Sequence, residues 1–305
     1  MKVTVSAPGK LMLFGEHAVV YGYPCLVTAV DRRLSVSVER ISSNEDSIIT
    51  PQVKDTTFVE KTLESFRKTF KLNDHVRIET FSQFSHNLGF GSSSAVTIAL
   101  LKALSETYNI KQIPQDIFNM AYQIVLDVQG TGSGFDLAAA AYGGTLEFVK
   151  GGKVIELFSI HNFPLIVAYS GIKADTPSIV KELAKRYQNN PDKTDMIFKQ
   201  IADITNQAKQ TLSKEDFYKT GLLMNENHRQ LQHLGVSTEK LDRMVEAAVV
   251  AGAYGAKLSG AGGGDCIICL APSQKKDQVE RSIIQAGGEI ISVTANTEGM
   301  RVETQ

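Results

Sequence analysis

Three segments of this 305-residue chain concentrate glycine with serine or alanine: Asn87-Leu88-Gly89-Phe90-Gly91-Ser92-Ser93-Ser94, Gly130-Thr131-Gly132-Ser133-Gly134-Phe135-Asp136 and Ser259-Gly260-Ala261-Gly262-Gly263-Gly264. One such loop is most often a turn and nothing more. Three in one chain favour a fold that brings bare backbone against a ligand, because glycine accepts positive φ and lets N–H groups approach an anion. The first loop runs into a small-residue, leucine-rich stretch at 94–104 that reads as helix, so its free N–H groups and the helix dipole point at whatever the loop holds. None of the three has the G-x-x-x-x-G-K-[ST] spacing, and none is G-x-G-x-x-G behind a strand, which disfavours Walker-type and dinucleotide sites. No G-x-S-x-G elbow is present, and the six histidines lack metal-ligand spacing. A phosphate cradle of another kind remains.

The segments around the loops predict an α+β chain without strict βαβ alternation. Residues 2–6, 26–30 and 34–38 read as strands, and 58–70 as a helix with Val59, Leu63, Phe66 and Phe70 on one face. A helix follows from Pro114 to about residue 127, then a hairpin of Thr145–Val149 and residues 153–158 around Lys150-Gly151-Gly152. Beyond residue 158 the pattern changes. Leu165–Tyr169 reads as a strand, and Thr176 as the cap of a helix with Pro177 at its first turn. A long amphipathic helix carries Ile197, Ile201, Ile204, Ala208 and Leu212; Ser213 is positioned to cap the next helix, Gly235 to stop it and Ser237 to start another. Strands near 256–259 and 266–270, a helix at 273–286 and a strand at 289–293 close the chain. The expected division is 1–158 and 159–305.

Net charge is -1, from 32 Lys plus Arg against 33 Asp plus Glu, which excludes the basic excess of a nucleic-acid or membrane-surface protein. An anionic ligand is therefore held by local geometry. No apolar run approaches the roughly 20 residues of a membrane span, and no signal-peptide core precedes Pro8-Gly9-Lys10. Three cysteines without framework spacing fit a reducing cytoplasm, and Cys266-Ile267-Ile268-Cys269 reads as buried strand, not a zinc knuckle.

Phosphoryl transfer to an alcohol requires a cradle, Mg²⁺, a group that accepts or polarises the hydroxyl, and nearby positive charge. Asp136 ends the second glycine loop ahead of an alanine run that reads as helix, where its commonest role is an N-cap. Lys10 follows Pro8-Gly9 in a strand–turn setting, where a solvated lysine is the default. The two matter together only if the fold joins them.

The stretch Pro8-Gly9-Lys10-Leu11-Met12-Leu13-Phe14-Gly15-Glu16-His17-Ala18-Val19-Val20-Tyr21-Gly22 resembles the N-terminal signature of the mevalonate-kinase branch of the GHMP kinase superfamily. Gly89-Phe90-Gly91-Ser92-Ser93-Ser94-Ala95 is similar to that superfamily's phosphate loop, and Lys257-Leu258-Ser259-Gly260-Ala261-Gly262-Gly263-Gly264 to its third motif. The resemblance implies a two-domain fold, an N-terminal ribosomal-protein-S5-like domain and a C-terminal ferredoxin-like one, with ATP and acceptor in the cleft. It implies ATP-dependent phosphorylation of mevalonate to 5-phosphomevalonate, with phosphomevalonate kinase as the alternative and a non-kinase or decarboxylase relative as the remoter one. Asp136 would be the catalytic aspartate and Lys10 its partner; Gly89, Phe90, Gly91, Ser92, Ser93 and Ser94 would hold ATP, with Ser93 on Mg²⁺. Glu16, His17, Thr176 and Gly262 would define the acceptor side, and a homodimer is the family-level expectation.

Some residues depart from the family pattern. Eleven residues before Asp136, where a Mg²⁺-binding Glu is usual, stands Val125. Asp127 is no obvious substitute, because two residues turn a helix by about 200°. Gly132–Ala140 and Gly264-Asp265-Cys266 are more like phosphomevalonate kinases.

Overall fold

Two antiparallel-dominated sheets carry the chain, and the computed structural model describes residues 1–303. In chain order the strands are β1 (Lys2–Phe14), β2 (Cys25–Ile41), β3 (Ser47–Ile49), β4 (His75–Ser82), β5 (Thr145–Val149) and β6 (Val154–Phe158). There follow β7 (Leu165–Tyr169), β8 (Gly255–Ser259), β9 (Cys266–Leu270), β10 (Glu289–Ile290) and β11 (Arg301–Val302). The helices are α1 (Thr57–Phe70), α2 (Ser92–Thr107), α3 (Pro114–Gln129), α4 (Phe135–Tyr142), α5 (Thr176–Asn189), α6 (Pro191–Ser213), α7 (Phe217–His233), α8 (Glu239–Val250) and α9 (Lys276–Gln285). The α+β reading holds.

The first sheet runs β11-β1-β2-β4-β3, with β5 against the start of β2 and β6 outside β5. The second runs β10-β7-β9-β8. Residues 301–302 return from the far end of the chain to pair with Val5 and Ser6, so the sheets do not split the sequence at one point. Among the described residues no helix is long and apolar enough to cross a membrane.

The small-residue composition of α2 explains its place. Ala95, Ala99 and Ala103 let it lie close against β1 and β2, while Ile98, Leu101 and Leu104 fill the space around them, all at 0% exposure. Its N-terminus, Ser92, is thereby held at the end of the first glycine loop.

Several local expectations are corrected. Pro8-Gly9-Lys10 is no turn; β1 continues through it, with a register shift against β2 between Pro8 and Gly9. Long pairing with β2 overrides the local turn signal. Helix α5 is capped by Asp175, which accepts from Ser178 N, and not by Thr176. Ser213 belongs to the end of α6, and Asp216 caps α7; Thr238, one residue after Ser237, caps α8. Asp136 is no N-cap either, since Gly134 occupies that position and Asp136 lies inside the first turn of α4. Cys266 and Cys269 are buried in β9 as expected, and burial pushes the Cys269 thiol up to about 12 and that of Cys266 higher still.

Candidate active site

Lys10 reaches the cavity because β1 runs under the first glycine loop. Its backbone N–H donates to Phe90 O at 3.0 Å, and its ammonium donates to Gly89 O at 2.9 Å. The same Nζ lies 3.0 Å from Asp136 Oδ1 and 5.1 Å from the centre of the Phe135 ring. Lys10 is only 7% exposed, so the solvated reading fails. The fold joins the two residues that spacing alone could not.

Gly91 explains why this approach is possible. With φ at 78°, it sits in the left-handed region, and a Cβ there would come 3.3 Å from Lys10 Cε and 3.5 Å from Asp136 Oδ1. Gly91 also caps α2, whose first intrahelical bond runs from Ala95 N to Gly91 O. The N–H groups of Ser92, Ser93 and Ser94 therefore have no helical partner, an arrangement suited to an anion. At Gly89, a Cβ would lie 2.5 Å from Asp265 Oδ2, so the second sheet's side presses directly on the loop.

Lys10, His17, Gly89, Gly91, Ser92, Ser93, Ser94, Asp136 and Thr176 line one cavity of about 1020 Å³ between the two sheets. Three expected site residues do not. Phe90 is 2% exposed and packs on Phe84, contributing its carbonyl to Lys10. Gly262, within the third loop, turns towards Val236, whose carbonyl oxygen a Cβ there would collide with. Glu16 is fully buried and ion-paired with Lys257 of β8, itself at 0% exposure. Burial raises the Glu16 carboxyl and lowers the Lys257 ammonium, and each partner's charge opposes that shift in the other.

Around that pair the two sheets are stitched together. Met12 N donates to Ser259 Oγ at 3.1 Å, and the same hydroxyl donates to Met12 O at 2.9 Å. His17 has φ at 62°, unusual for a residue with a Cβ, and its Nε2 donates to Ala261 O at 2.9 Å. That bond leaves Nδ1 as an acceptor in the neutral ring. Desolvation pulls the His17 pKa down to about 4, against a smaller upward pull from Ala261 O.

Sequence reasoning missed two cavity lysines, Lys150 and Lys181. Lys173 is exposed and outside the lining. No motif surrounds Lys150 or Lys181; only the packing of the 150–152 turn and of α5 against the cleft reveals them. Among the described residues no trio of His, Cys, Asp or Glu could cage a metal. Val125 forms part of the wall, while Asp127 is exposed and accepts from Gln123.

A cradle of helix N–H groups beside a lysine–aspartate pair in a two-sheet cleft has the parts of a small-molecule kinase. The profile of the GHMP kinases N terminal domain matches residues 57–144, that of the GHMP kinases C terminal matches 208–289, and a galactokinase galactose-binding signature matches 2–40. A mevalonate kinase of Thermococcus sibiricus is 34% identical over 99% of both chains. The crystal structure of L. major mevalonate kinase in complex with R-mevalonate has a TM-score of 0.82 at 25% identity, covering 96% of this chain and 95% of that one. The Streptococcus pneumoniae phosphomevalonate kinase shares the fold, with a TM-score of 0.83, 19% identity and coverage of 97% and 99%. The chain belongs to the GHMP kinase family. Full-length relatives at 34% identity within it are mevalonate kinases.

Proposed function

We propose that this protein transfers the γ-phosphoryl group of ATP to the primary hydroxyl of mevalonate, giving 5-phosphomevalonate and ADP. The Lys10–Asp136 pair beside the free N–H groups of α2, in a chain whose full-length relatives are mevalonate kinases, carries this reading. The acceptor oxygen forms the new P–O bond as the bond to the β–γ bridging oxygen breaks, and ADP leaves with that electron pair. Asp136 takes up the hydroxyl proton, and Lys10 polarises the oxygen and keeps the carboxylate aimed at it. The N–H groups of Ser92, Ser93 and Ser94 stabilise charge on the phosphates without rearranging.

Mg²⁺ fits this site as a partner of the nucleotide rather than of a protein cage. The Asp136 carboxylate beside Lys10 and the Ser93 hydroxyl on the cavity wall would hold it with ATP phosphates and water. When bound, it neutralises charge on the β- and γ-phosphates. The proposal includes a cytoplasmic location, a homodimer, and a division into 1–158 and 159–305, with β11 reaching back onto the first half's sheet. Light scattering checks the dimer.

Coupled ADP release over a panel of C5 acids, their phosphates and sugar alcohols tests the function. Mevalonate is expected to give the highest kcat/KM. A higher value for phosphomevalonate, or turnover of sugars alone, would sink the assignment.

A further inference from the structure

Asp265 stands where the third glycine loop enters β9. Its φ is 56°, a left-handed conformation that aspartate and asparagine adopt more readily than other residues with a Cβ. The residue is buried, and its two carboxylate oxygens meet different parts of the site. Oδ1 accepts from Ala174 N at 2.9 Å, while Oδ2 lies against Gly89, 2.5 Å from where a Cβ would stand.

Backbone bonds reinforce the first contact. Asp265 N donates to Ile172 O at 2.7 Å, and Ser170 N donates to Asp265 O at 2.8 Å. Gly264 allows this approach, since a Cβ there would collide with Ile172 O. Residues 170–174 are thereby pinned to the end of the third loop. They run directly into Asp175, the cap of α5, and then into Thr176 and Pro177 on the cavity wall.

The second contact leads to the lysine–aspartate pair. Gly89 O accepts from Lys10 Nζ at 2.9 Å, and that Nζ lies 3.0 Å from Asp136 Oδ1. Cys266, next in the chain, donates its thiol to Leu88 O at 3.4 Å, so the start of β9 backs the first glycine loop at adjacent residues. One side chain thus spans the loop beside Lys10 and the segment that sets the start of α5. Burial lifts the Asp265 carboxyl above its ordinary value, against the pulls of Ala174 N–H and of the Lys10 and Lys173 charges. These surroundings select for an acceptor of this shape more than for a charge.

We propose that Asp265 is a positioning residue that couples the two substrate sites, holding the Gly89 carbonyl on Lys10 and the entry to α5 in one fixed relation. A nucleotide that settles on the first loop then meets, through Asp265, an α5 entry already held for the acceptor. This rests on the function proposed above and adds to it a cooperativity between donor and acceptor. Such coupling is reciprocal, so each ligand tightens the other by the same factor.

Calorimetry tests it by measuring mevalonate binding with and without the β,γ-imido analogue of ATP, and analogue binding with and without mevalonate. The proteins are wild type, Asp265→Gly and Asp265→Asn. Glycine accepts the left-handed φ without strain and removes the carboxylate, whereas asparagine keeps the acceptor oxygen and tolerates the same conformation. In wild type each ligand is expected to tighten the other by about 5- to 20-fold. Asp265→Gly should bring that factor to within about twofold of one, with the affinity for each ligand alone changed by less than about threefold. Asp265→Asn should restore most of the coupling. No coupling in wild type, or undiminished coupling in Asp265→Gly, overturns the proposal. So does a loss in Asp265→Asn equal to that in Asp265→Gly, which would assign the effect to the charge. A fall in both single-ligand affinities with the coupling intact also overturns it, marking Asp265 as a general support. If wild-type protein does not phosphorylate mevalonate, the function falls; the same measurements with the acceptor that ADP release identifies then decide the role of Asp265.

Discussion

At the residue scale, the proposed chemistry concentrates on two side chains whose surroundings differ from what their sequence neighbours suggest. Lys10 is buried and Asp136 lies inside the first turn of α4, two residues past its cap, so each is positioned for the other. Replacing Asp136 with Asn, or Lys10 with Met, should lower kcat by about 10²- to 10⁴-fold while ATP affinity measured by calorimetry changes little, because the phosphates rest on backbone N–H groups. Near-normal turnover in Asp136→Asn would remove it from the chemistry. His17 supplies a pH signature. Its pKa in the fold, about 4, lies below the unfolded value, so the unfolded chain binds more protons between the two. Stability from keeping His17 neutral is complete above pH 6.5 and is lost as pH falls towards 4. At pH 5 this amounts to about 2 kcal/mol. Thermal melts of wild type and His17→Gln at pH 7.5 and 5 should show a smaller acid drop in the variant; equal drops would contradict the assignment. The lysine and the aspartate were both legible in the sequence, whereas the bond of His17 to Ala261 was not, because 244 residues separate the partners and no pattern links them.

At the scale of elements, β1 and β8 hold the cleft in register through the Glu16–Lys257 pair and the two bonds between Met12 and Ser259. Removing one member strands a charge that is wholly out of water. Lys257→Met or Glu16→Gln should each destabilise by about 3–5 kcal/mol, and the double variant should recover much of that loss. Denaturant unfolding of all four proteins measures the coupling, and strict additivity would refute it. Helix α3 makes a different prediction. Val125 is 7% exposed on the cavity wall, and its Cγ1 would lie 3.1 Å from a Cβ on Gly132. A carboxylate there would meet the metal, so Val125→Glu should lower the free Mg²⁺ needed for half-maximal activity and tighten Mn²⁺ binding read by paramagnetic resonance. No change in either would assign the metal to other groups. Periodicity foretold α1, α3 and α6 because each has a clear apolar face. It missed β3 and β4, which lie in a polar stretch where the pairing of β4 with β2 and of β3 with β4 outweighs local preference. The caps at Asp175 and Asp216 also escaped it, since Thr176-Pro177 and Ser213 carry equally good local signals.

At the scale of the whole molecule, the two sheets depend on each other through the chain's return. Arg33 of β2, 6% exposed, donates to the backbone carbonyls of Glu298 at 3.1 Å and Gly299 at 2.7 Å, and to Ser6 O at 3.0 Å. Deleting residues 291–305 would leave that buried guanidinium without two of its acceptors and uncover the edge of β1. The truncated protein should melt several degrees lower, a loss of about 2–4 kcal/mol, and should lose activity in parallel. An unchanged melting curve would show the return to be dispensable. The α+β class was legible because helical and strand periodicities alternate in blocks. The return of 301–302 was not, since a two-residue strand carries no periodicity at all.

That return also sets a timetable during synthesis. A ribosome adding about 5–20 residues each second needs roughly 7–30 s to pass from β6 to the residues that pair with Val5 and Ser6. Throughout that interval the nascent chain carries β1 as an open edge, able to pair with another chain emerging from the same message. The short final strand is thus a closing step in biogenesis, and the crowding of neighbouring ribosomes, more than the stability of the finished protein, is where its loss would be felt first.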